Sequence, residues 1–171
     1  MTSGRRKEQG VQVVERWSEV PATAARVWAR ASRIEGVNDE LRPWIRMTVP
    51  RLLRGATLDD LPVGGKAGRS WLLLLGFLPF DYDNLVIAEC EPGRRFLETS
   101  TMLSMRRWEH ERTLEPGNAG TRTVVHDRVT FELRQPLARL PGLDATLASV
   151  VSKVFAHRHR RLRRTFTSTV A

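Results

Sequence analysis

The spacing of apolar residues near the C-terminus is the feature that most constrains the fold of this chain. From Leu143 onward, apolar residues recur at steps of three and four, which is the period of one helix face. This predicts one long amphipathic helix that needs a second apolar surface to cover. The stripe consists of Leu143, Leu147, Val150, Val151, Val154, Phe155, Leu162 and Phe166.

The segments before this helix have the character of strands. Val11–Ser18 is rich in β-branched and aromatic residues, which predicts an opening strand. From Pro43 to about Thr130, clusters of Pro, Gly, Asn and Asp, such as Pro79–Asn84, separate apolar runs. Because no helical period intervenes between these runs, the pattern indicates an antiparallel meander.

Two short helices are predicted between the opening strand and the meander. Pro21 and the alanine-rich stretch after it favour a helix of about three turns within Val20–Arg30. Gly36 is expected to interrupt it. A second helix, roughly Asn38–Arg42, should stop before Pro43, because the residue preceding a proline avoids the helical region.

These elements predict an α+β fold, in which a curved antiparallel sheet of six or seven strands wraps around the C-terminal helix. Residues 11–168 form a single domain in this interpretation, and the polar residues 1–10 form a disordered tail. The N-terminus lacks the apolar core of a secretory signal, and the apolar run Trp71–Phe80 is about half as long as a membrane-spanning helix. A cytoplasmic protein without membrane insertion is therefore expected.

The net charge of +9 belongs mainly to the two ends of the chain. Residues 1–10 carry +2, residues 145–171 carry +6, and the 134 residues between them carry only +1. A solvated helix face explains the terminal arginines as well as an anionic partner does. Association with nucleic acid or an acidic membrane through the basic helix is therefore a third hypothesis, and no nucleic-acid partner is expected.

The sequence argues against several kinds of chemistry. A single cysteine excludes a disulfide within the chain, and the strand-like surroundings of Cys90 favour a buried, inert thiol. The four histidines lack metal-ligand spacing, and the serines lie in no nucleophile-elbow pattern. We expect no metal and no organic cofactor. Most of the five tryptophans are expected in the core, with one or two lining a pocket.

Alternation along two neighbouring strands places a candidate site on their buried face. Trp108, His110 and Arg112 share one face of their strand, and Asp127 is the polar residue on the apolar face of the next. His110 and Asp127 are the candidate catalytic residues, and all four are candidate ligand-binding residues. An inward His–Asp pair beside Arg112 could bind a carbonyl or phenol, or act as an acid–base pair. Alternatively, Asp127 simply satisfies His110 or Arg112 inside the core.

The helix contributes a further candidate. Continuing the stripe by one turn places Arg158 and His159 toward the sheet. An inward Arg158 would suit a carboxylate or phenolate ligand. Alternatively, it extends to solvent along its methylene stem. The opposite face is predicted to carry Lys153, His157, Arg160, Arg161 and Arg164.

The sequence resembles the START-like, or SRPBCC, superfamily, which includes polyketide cyclases, plant pathogenesis-related ligand binders and lipid-transfer domains. The resemblance covers roughly Val11–Phe166. Its motifs are Val20-Pro21-Ala22, Val27-Trp28, Trp108-Glu109-His110-Glu111-Arg112, Gly120-Thr121-Arg122, Asp127-Arg128-Val129-Thr130-Phe131 and His157-Arg158-His159-Arg160-Arg161-Leu162.

The resemblance implies a helix-grip fold with a cavity and leaves the chemistry open. The first hypothesis is a monomeric or homodimeric module that binds a lipid-, sterol- or polyketide-like molecule between sheet and helix. The alternative is a cyclase, aromatase or dehydratase, of lyase or isomerase type, in which His110, Asp127 and Arg158 handle an enolisable substrate.

Overall fold

The computed structural model describes residues 10–117 and 120–167. Its seven strands form one antiparallel sheet in the order β1-β7-β6-β5-β4-β3-β2, which confirms the predicted meander. Apart from Gly10, the tail predicted to be disordered lies outside the described residues. The elements are β1 (Val11–Val20), α1 (Ala24–Ala31), α2 (Ile34–Leu41), β2 (Ile45–Met47), β3 (Lys66–Leu74), β4 (Leu78–Glu91), β5 (Arg95–Met102), β6 (Met105–Pro116), β7 (Thr123–Leu133) and α3 (Leu143–Thr167).

The long helix α3 lies against β1, β7 and α2, as the helix-grip fold requires. Its buried side chains follow the predicted stripe, and they include Arg158 and His159. Val150 is an exception, because 48% of it is exposed to solvent. Successive residues of a helix are rotated by about 100° around its axis, so Val150 lies to one side of Val151, which is buried.

The two short helices differ from the sequence prediction in their bounds. Helix α1 begins after Thr23, whose hydroxyl caps it, so it is shorter than three turns and Pro21 precedes it. The predicted interruption at Gly36 is wrong, because Gly36 lies inside α2. A Cβ atom at Gly36 would come within 2.0 Å of the Arg30 carbonyl oxygen, so the glycine permits α1 and α2 to pack closely.

The turn predicted at Pro79–Asn84 is also misplaced. The chain reverses at Leu75 and Gly76, which both have left-handed φ angles, and β4 already runs through Asp81 and Asp83. The Asp-Tyr-Asp-Asn composition resembles a turn, but these residues alternate inward and outward along a strand. Two acidic side chains are thereby brought onto the concave face of the sheet.

The expectation that most tryptophans are buried is wrong. Trp17, Trp44 and Trp71 are each about half-exposed, whereas Trp28 is buried and Trp108 is partly buried. Trp17 stacks on His126 on the outer side of the sheet, at 4.4 Å between ring centroids. Period-2 alternation places Trp17 and Trp71 on the convex face, whereas Trp44 lies in the turn before β2.

Buried apolar residues inside the sheet form separate clusters with a polar belt between two of them. One cluster contains Leu114, Val125 and Leu162, and another contains Val129 and Phe155. On β6, β7 and α3 alike, the residues between these clusters are polar and buried. The fold therefore places charged side chains in the middle of its core.

Candidate functional site

A buried group of charged and imidazole side chains, called here the ion-pair cluster, lies at the centre of the sheet. Its carboxylates come from α2 and β7, its guanidinium groups from β6 and α3, and its imidazoles also from β6 and α3. All of these side chains are buried, with relative exposures of 6% or less. The cluster consists of Glu40, His110, Arg112, Asp127, Arg158 and His159.

Arg112 joins the two carboxylates of the cluster. Its Nε and Nη2 donate to the two Asp127 oxygens, each at 2.7 Å. Its Nη1 and Nη2 donate to the Glu40 oxygens at 2.9 and 3.0 Å. The planar guanidinium thus makes two bidentate contacts, the arrangement that best stabilises buried carboxylates. The predicted proximity of Arg112 to Asp127 is confirmed.

The charges of the cluster compensate one another. Burial alone would raise the pKa of Asp127, but the adjacent Arg112 charge holds it well below its usual range. The pKa of Glu40 is also lowered, because Arg112 and Arg158 outweigh its burial. Both carboxylates are therefore ionised at neutral pH, so that removing one partner would leave an uncompensated buried charge.

Two histidines complete the coordination of Asp127. His110 Nε2 lies 3.1 Å from Asp127 Oδ1, as the sequence predicted, and His159 Nε2 lies 2.9 Å from Oδ2. The other nitrogen of His159 is 2.7 Å from the Ser18 hydroxyl. Together with the two Arg112 contacts, four hydrogen bonds converge on one carboxylate. Asp127 is therefore saturated by the protein itself.

Arg158 faces inward, which rules out the alternative that it extends to solvent. Its Nε donates to Glu40 Oε2 at 3.0 Å, and its guanidinium lies over the Phe155 ring at 4.8 Å. From the sequence, Arg158 was expected to bind a ligand carboxylate. In the structure, the carboxylate of Glu40 already binds it.

A pocket of about 340 Å³ lies beside this cluster, between α3, the helices α1 and α2, and strands β2 to β6. Its lining is predominantly apolar and includes Leu72, Leu85 and Val154. Of the predicted ligand-binding residues, Trp108, His110 and Arg158 line the pocket. Arg112 and Asp127 lie behind that lining, where they hold His110 and Glu40.

A second group of acidic residues lines the pocket and is called here the acidic wall; it consists of Asp81, Asp83 and Glu98. Asp81 is satisfied, because the backbone N–H groups of Tyr82 and Leu103 and the Ser104 hydroxyl donate to it. Glu98 accepts from Ser100 at 3.1 Å. Its Oε2 is 3.9 Å from His110 Nδ1, an ion-pair separation.

Asp83 differs from its neighbours in the wall. It is only 2% exposed, and its Oδ1 meets no hydrogen-bond donor in residues 10–117 and 120–167. Burial and the Glu98 charge raise the pKa of Asp83 well above its usual range. The pKa of Glu98 is lowered, because its contact with His110 outweighs its burial. Of these two carboxyls, Asp83 is therefore the one that keeps its proton to the higher pH.

Sequence reasoning missed Glu40, Asp83 and Glu98. Glu40 lies one helical turn after Gly36, on the same inward face of α2, so the helix period could have found it. Asp83 alternates with Leu85 and Ile87, but the turn-like composition around it concealed the strand. Glu98 carries a weaker signal, because β5 mixes apolar and polar residues on both faces.

The thiol of Cys90 is partly buried, and burial together with nearby Asp59 raises its pKa. This environment disfavours the thiolate, in agreement with the inert thiol expected from the sequence. No helix in the part of the chain that the structure describes is long and apolar enough to cross a bilayer.

Solved structures with the same fold cover nearly the whole chain. A START superfamily protein from Mycobacterium smegmatis matches with a TM-score of 0.65 and 13% identity, covering 92% of this chain and 98% of its own. The Zhui aromatase/cyclase from a Streptomyces species matches with a TM-score of 0.61 and 15% identity, covering 94% and 96%. The protein XoxI from Bacillus cereus matches with a TM-score of 0.66 and 11% identity, covering 93% of this chain and 98% of its own.

At these identities the matches establish the START-like fold, which confirms the sequence-based resemblance. No curated protein matches the sequence. The family model described as a domain of unknown function (DUF8410) matches residues 18–166. That span includes every strand after β1, helices α1 and α2, α3 as far as Phe166, and the whole of the ion-pair cluster and acidic wall, and the chain therefore belongs to the DUF8410 family.

Proposed function

We propose that this protein binds a hydrophobic small molecule, of a lipid-, sterol- or polyketide-like kind, in the pocket beneath α3. The observation that carries the proposal is the pocket itself, about 340 Å³ with an apolar lining and a few convergent polar groups. This volume falls within the roughly 300–1,000 Å³ that small-molecule sites occupy. The fold relatives include a protein whose printed name is aromatase/cyclase.

The apolar probe N-phenyl-1-naphthylamine tests the proposal by its fluorescence on binding. We expect about one probe per chain. Val154 lines the pocket from α3, so Val154→Trp should fill it and weaken binding about tenfold or more. The adjacent Lys153 is exposed on the other side of the helix, so Lys153→Trp is the matched control. Equal binding to both folded variants would place the probe outside the pocket and contradict the proposal.

An enzymatic role is the second candidate, of the cyclase or dehydratase type without a metal or organic cofactor. The observation in its favour is that His110 lines the pocket with a carboxylate near each ring nitrogen, Asp127 at 3.1 Å and Glu98 at 3.9 Å. Such a ring could move protons to and from a bound substrate. Asp127 would position the ring instead of touching substrate, since four donors already surround it.

The two candidates differ in what His110→Ala removes. If the protein is an enzyme, the variant should lose turnover of a β-polyketone substrate while N-phenyl-1-naphthylamine binding survives. If the protein only binds, neither the wild type nor the variant should convert the substrate. Turnover that persists in a correctly folded His110→Ala variant would remove His110 from the catalytic role.

A further inference from the structure

The acidic wall brings three carboxyl groups to one side of the pocket. On the inward faces of β4 and β5, Asp81, Asp83 and Glu98 are the charged residues, and the remaining inward positions are apolar or serine. Two arginines line the pocket: Arg158 is engaged by Glu40, and Arg33 is exposed to solvent just before α2. A ligand group that meets the wall therefore meets carboxyl oxygens without a competing guanidinium.

Asp83 is the member of the wall with an unmet bonding requirement. Its Oδ1 is buried and finds no donor in the described ranges 10–117 and 120–167, whereas Asp81 receives backbone and hydroxyl donors. A buried acceptor without a donor costs free energy, so each such atom in a folded protein requires an explanation, and beside a pocket a bound ligand is one explanation. The missing partner of Asp83 is a hydrogen-bond donor.

We propose that Asp83 and Glu98 together bind the protonated amine of an otherwise apolar ligand. This inference rests on the proposed binding function and specifies its ligand class. An ammonium group supplies donors to the unmet Asp83 oxygen and to Glu98, and its charge takes the place of the proton that Asp83 releases. The apolar lining formed by residues such as Leu72, Leu85 and Phe155 holds the remainder of the ligand.

The proton balance of binding follows from the two carboxyls. At a pH below the raised pKa of Asp83, the pair holds one proton, on Asp83, and one negative charge, on Glu98, before binding. When R–NH₃⁺ enters, its N–H groups replace that proton as the partner of both carboxylates, and Asp83 releases the proton to solvent. Binding of one cation is thus coupled to release of one proton, with no bond made or broken in the ligand. A ligand carboxylate would instead meet three acidic side chains.

Three probes with one skeleton test the proposal, namely 4-phenylbutylamine, 4-phenylbutanol and 4-phenylbutyrate, by isothermal titration calorimetry on the full chain near pH 7. The amine should bind about tenfold tighter than the alcohol, and the carboxylate should bind most weakly. Titrations in buffers of different ionisation enthalpy should show a net release of protons, up to one per amine bound, and none per alcohol.

Variants of Asp83 and Glu98 then test whether these two residues cause the preference for the amine. Asp83→Asn should lower amine affinity about tenfold and leave alcohol affinity within about twofold, because only the charged hydrogen bond is lost. Glu98→Gln should have the same effect and serves as the second variant if Asp83→Asn folds poorly. Glu35→Gln is the charge-matched control, because Glu35 is exposed on α2 and outside the pocket lining.

The outcomes separate this inference from the proposed function. If the alcohol binds and the amine shows no preference, no proton release or no sensitivity to either variant, the amine assignment is wrong and the pocket remains a ligand site. If none of the three probes and no N-phenyl-1-naphthylamine binds, the proposed function itself is contradicted.

Discussion

The ion-pair cluster and the acidic wall lie on the same concave face of the sheet, with His110 between them, yet they are opposites in bonding. In the cluster, Asp127 receives four hydrogen bonds and Glu40 is held by two arginines. In the wall, Asp83 is equally buried and has an oxygen without a donor. Burial alone therefore does not identify a ligand site; the useful signal is burial without satisfaction.

The same contrast appears in the protonation of the two regions. Arg112 keeps the pKa of Asp127 low, whereas burial and Glu98 keep the pKa of Asp83 high. A fully paired ionised cluster holds the elements of the core in one arrangement. A proton held by Asp83 beside Glu98, at the edge of a pocket, can be exchanged for a cationic ligand. We infer that the cluster maintains the fold and the wall serves binding.

The largest expected effect breaks the cluster. Asp127→Ala leaves Arg112 partly unpaired and two imidazoles without their acceptor, so the free energy of unfolding should fall by about 3–5 kcal/mol. Urea denaturation measures this change. The exposed Glu35→Ala should shift the same quantity by no more than about 0.5 kcal/mol. A loss below about 1 kcal/mol at Asp127 would mean that the cluster does not hold the core together.

A second large effect is expected at the aromatic ring of Phe155. Phe155 contacts His110 at 5.1 Å between ring centroids, carries the Arg158 guanidinium over its face, and lines the pocket. Phe155→Ala should cost about 3–5 kcal/mol, because the ring is buried. Arg160→Ala, on the exposed side of α3, should change stability by no more than about 0.5 kcal/mol. Similar values for the two variants would show that the helix face is misassigned.

A smaller effect of opposite sign is expected at the wall. Asp83→Asn removes a buried, poorly satisfied carboxyl with little change in volume, so the unfolding free energy should rise by about 0.5–2 kcal/mol. Chemical denaturation without ligand checks this. A clear loss of stability would mean that Asp83 supports the fold in the way that Asp127 does, and the contrast between the two regions would disappear.

A pH dependence of stability also distinguishes the two carboxyls. Because the folded pKa of Asp83 is raised, the folded state binds more protons than the unfolded state once the pH exceeds the unfolded value of about 3.9. The wild type should therefore lose stability relative to Asp83→Asn as the pH rises from about 4 toward neutrality. A stability difference that stays constant over this range would contradict the raised pKa.

The fold was predictable from the sequence because it depends on periodicity. The change from period 2 to a helical period at Leu143 fixes where the sheet ends and α3 begins. The alternation on β7 correctly marks Asp127 as the polar residue of a buried face. Local turns were less predictable, because Pro79–Asn84 has turn composition while Leu75 and Gly76 make the reversal.

The site was predictable only where it lies on one hairpin. His110, Arg112 and Asp127 are neighbours through β6–β7 pairing, which alternation and the intervening turn anticipate. Glu40 reaches the same cluster from α2, 72 residues away from Arg112 along the chain. No local sequence pattern predicts a contact between two residues so far apart along the chain. Which carboxyl is satisfied and which is not depends on such partners, so the role of Asp83 emerges only from the assembled fold.

The most direct test of this division of roles is a crystal structure of the protein in complex with 4-phenylbutanol. We expect the phenyl ring among the apolar side chains beside Trp108 and Phe155, with the hydroxyl directed to the acidic wall. The bonds of Arg112 to Asp127 and Glu40 should be unchanged, with no ligand atom touching Arg112 or Asp127. A ligand bound outside the pocket, or one that opens the ion-pair cluster to contact Asp127, would contradict it.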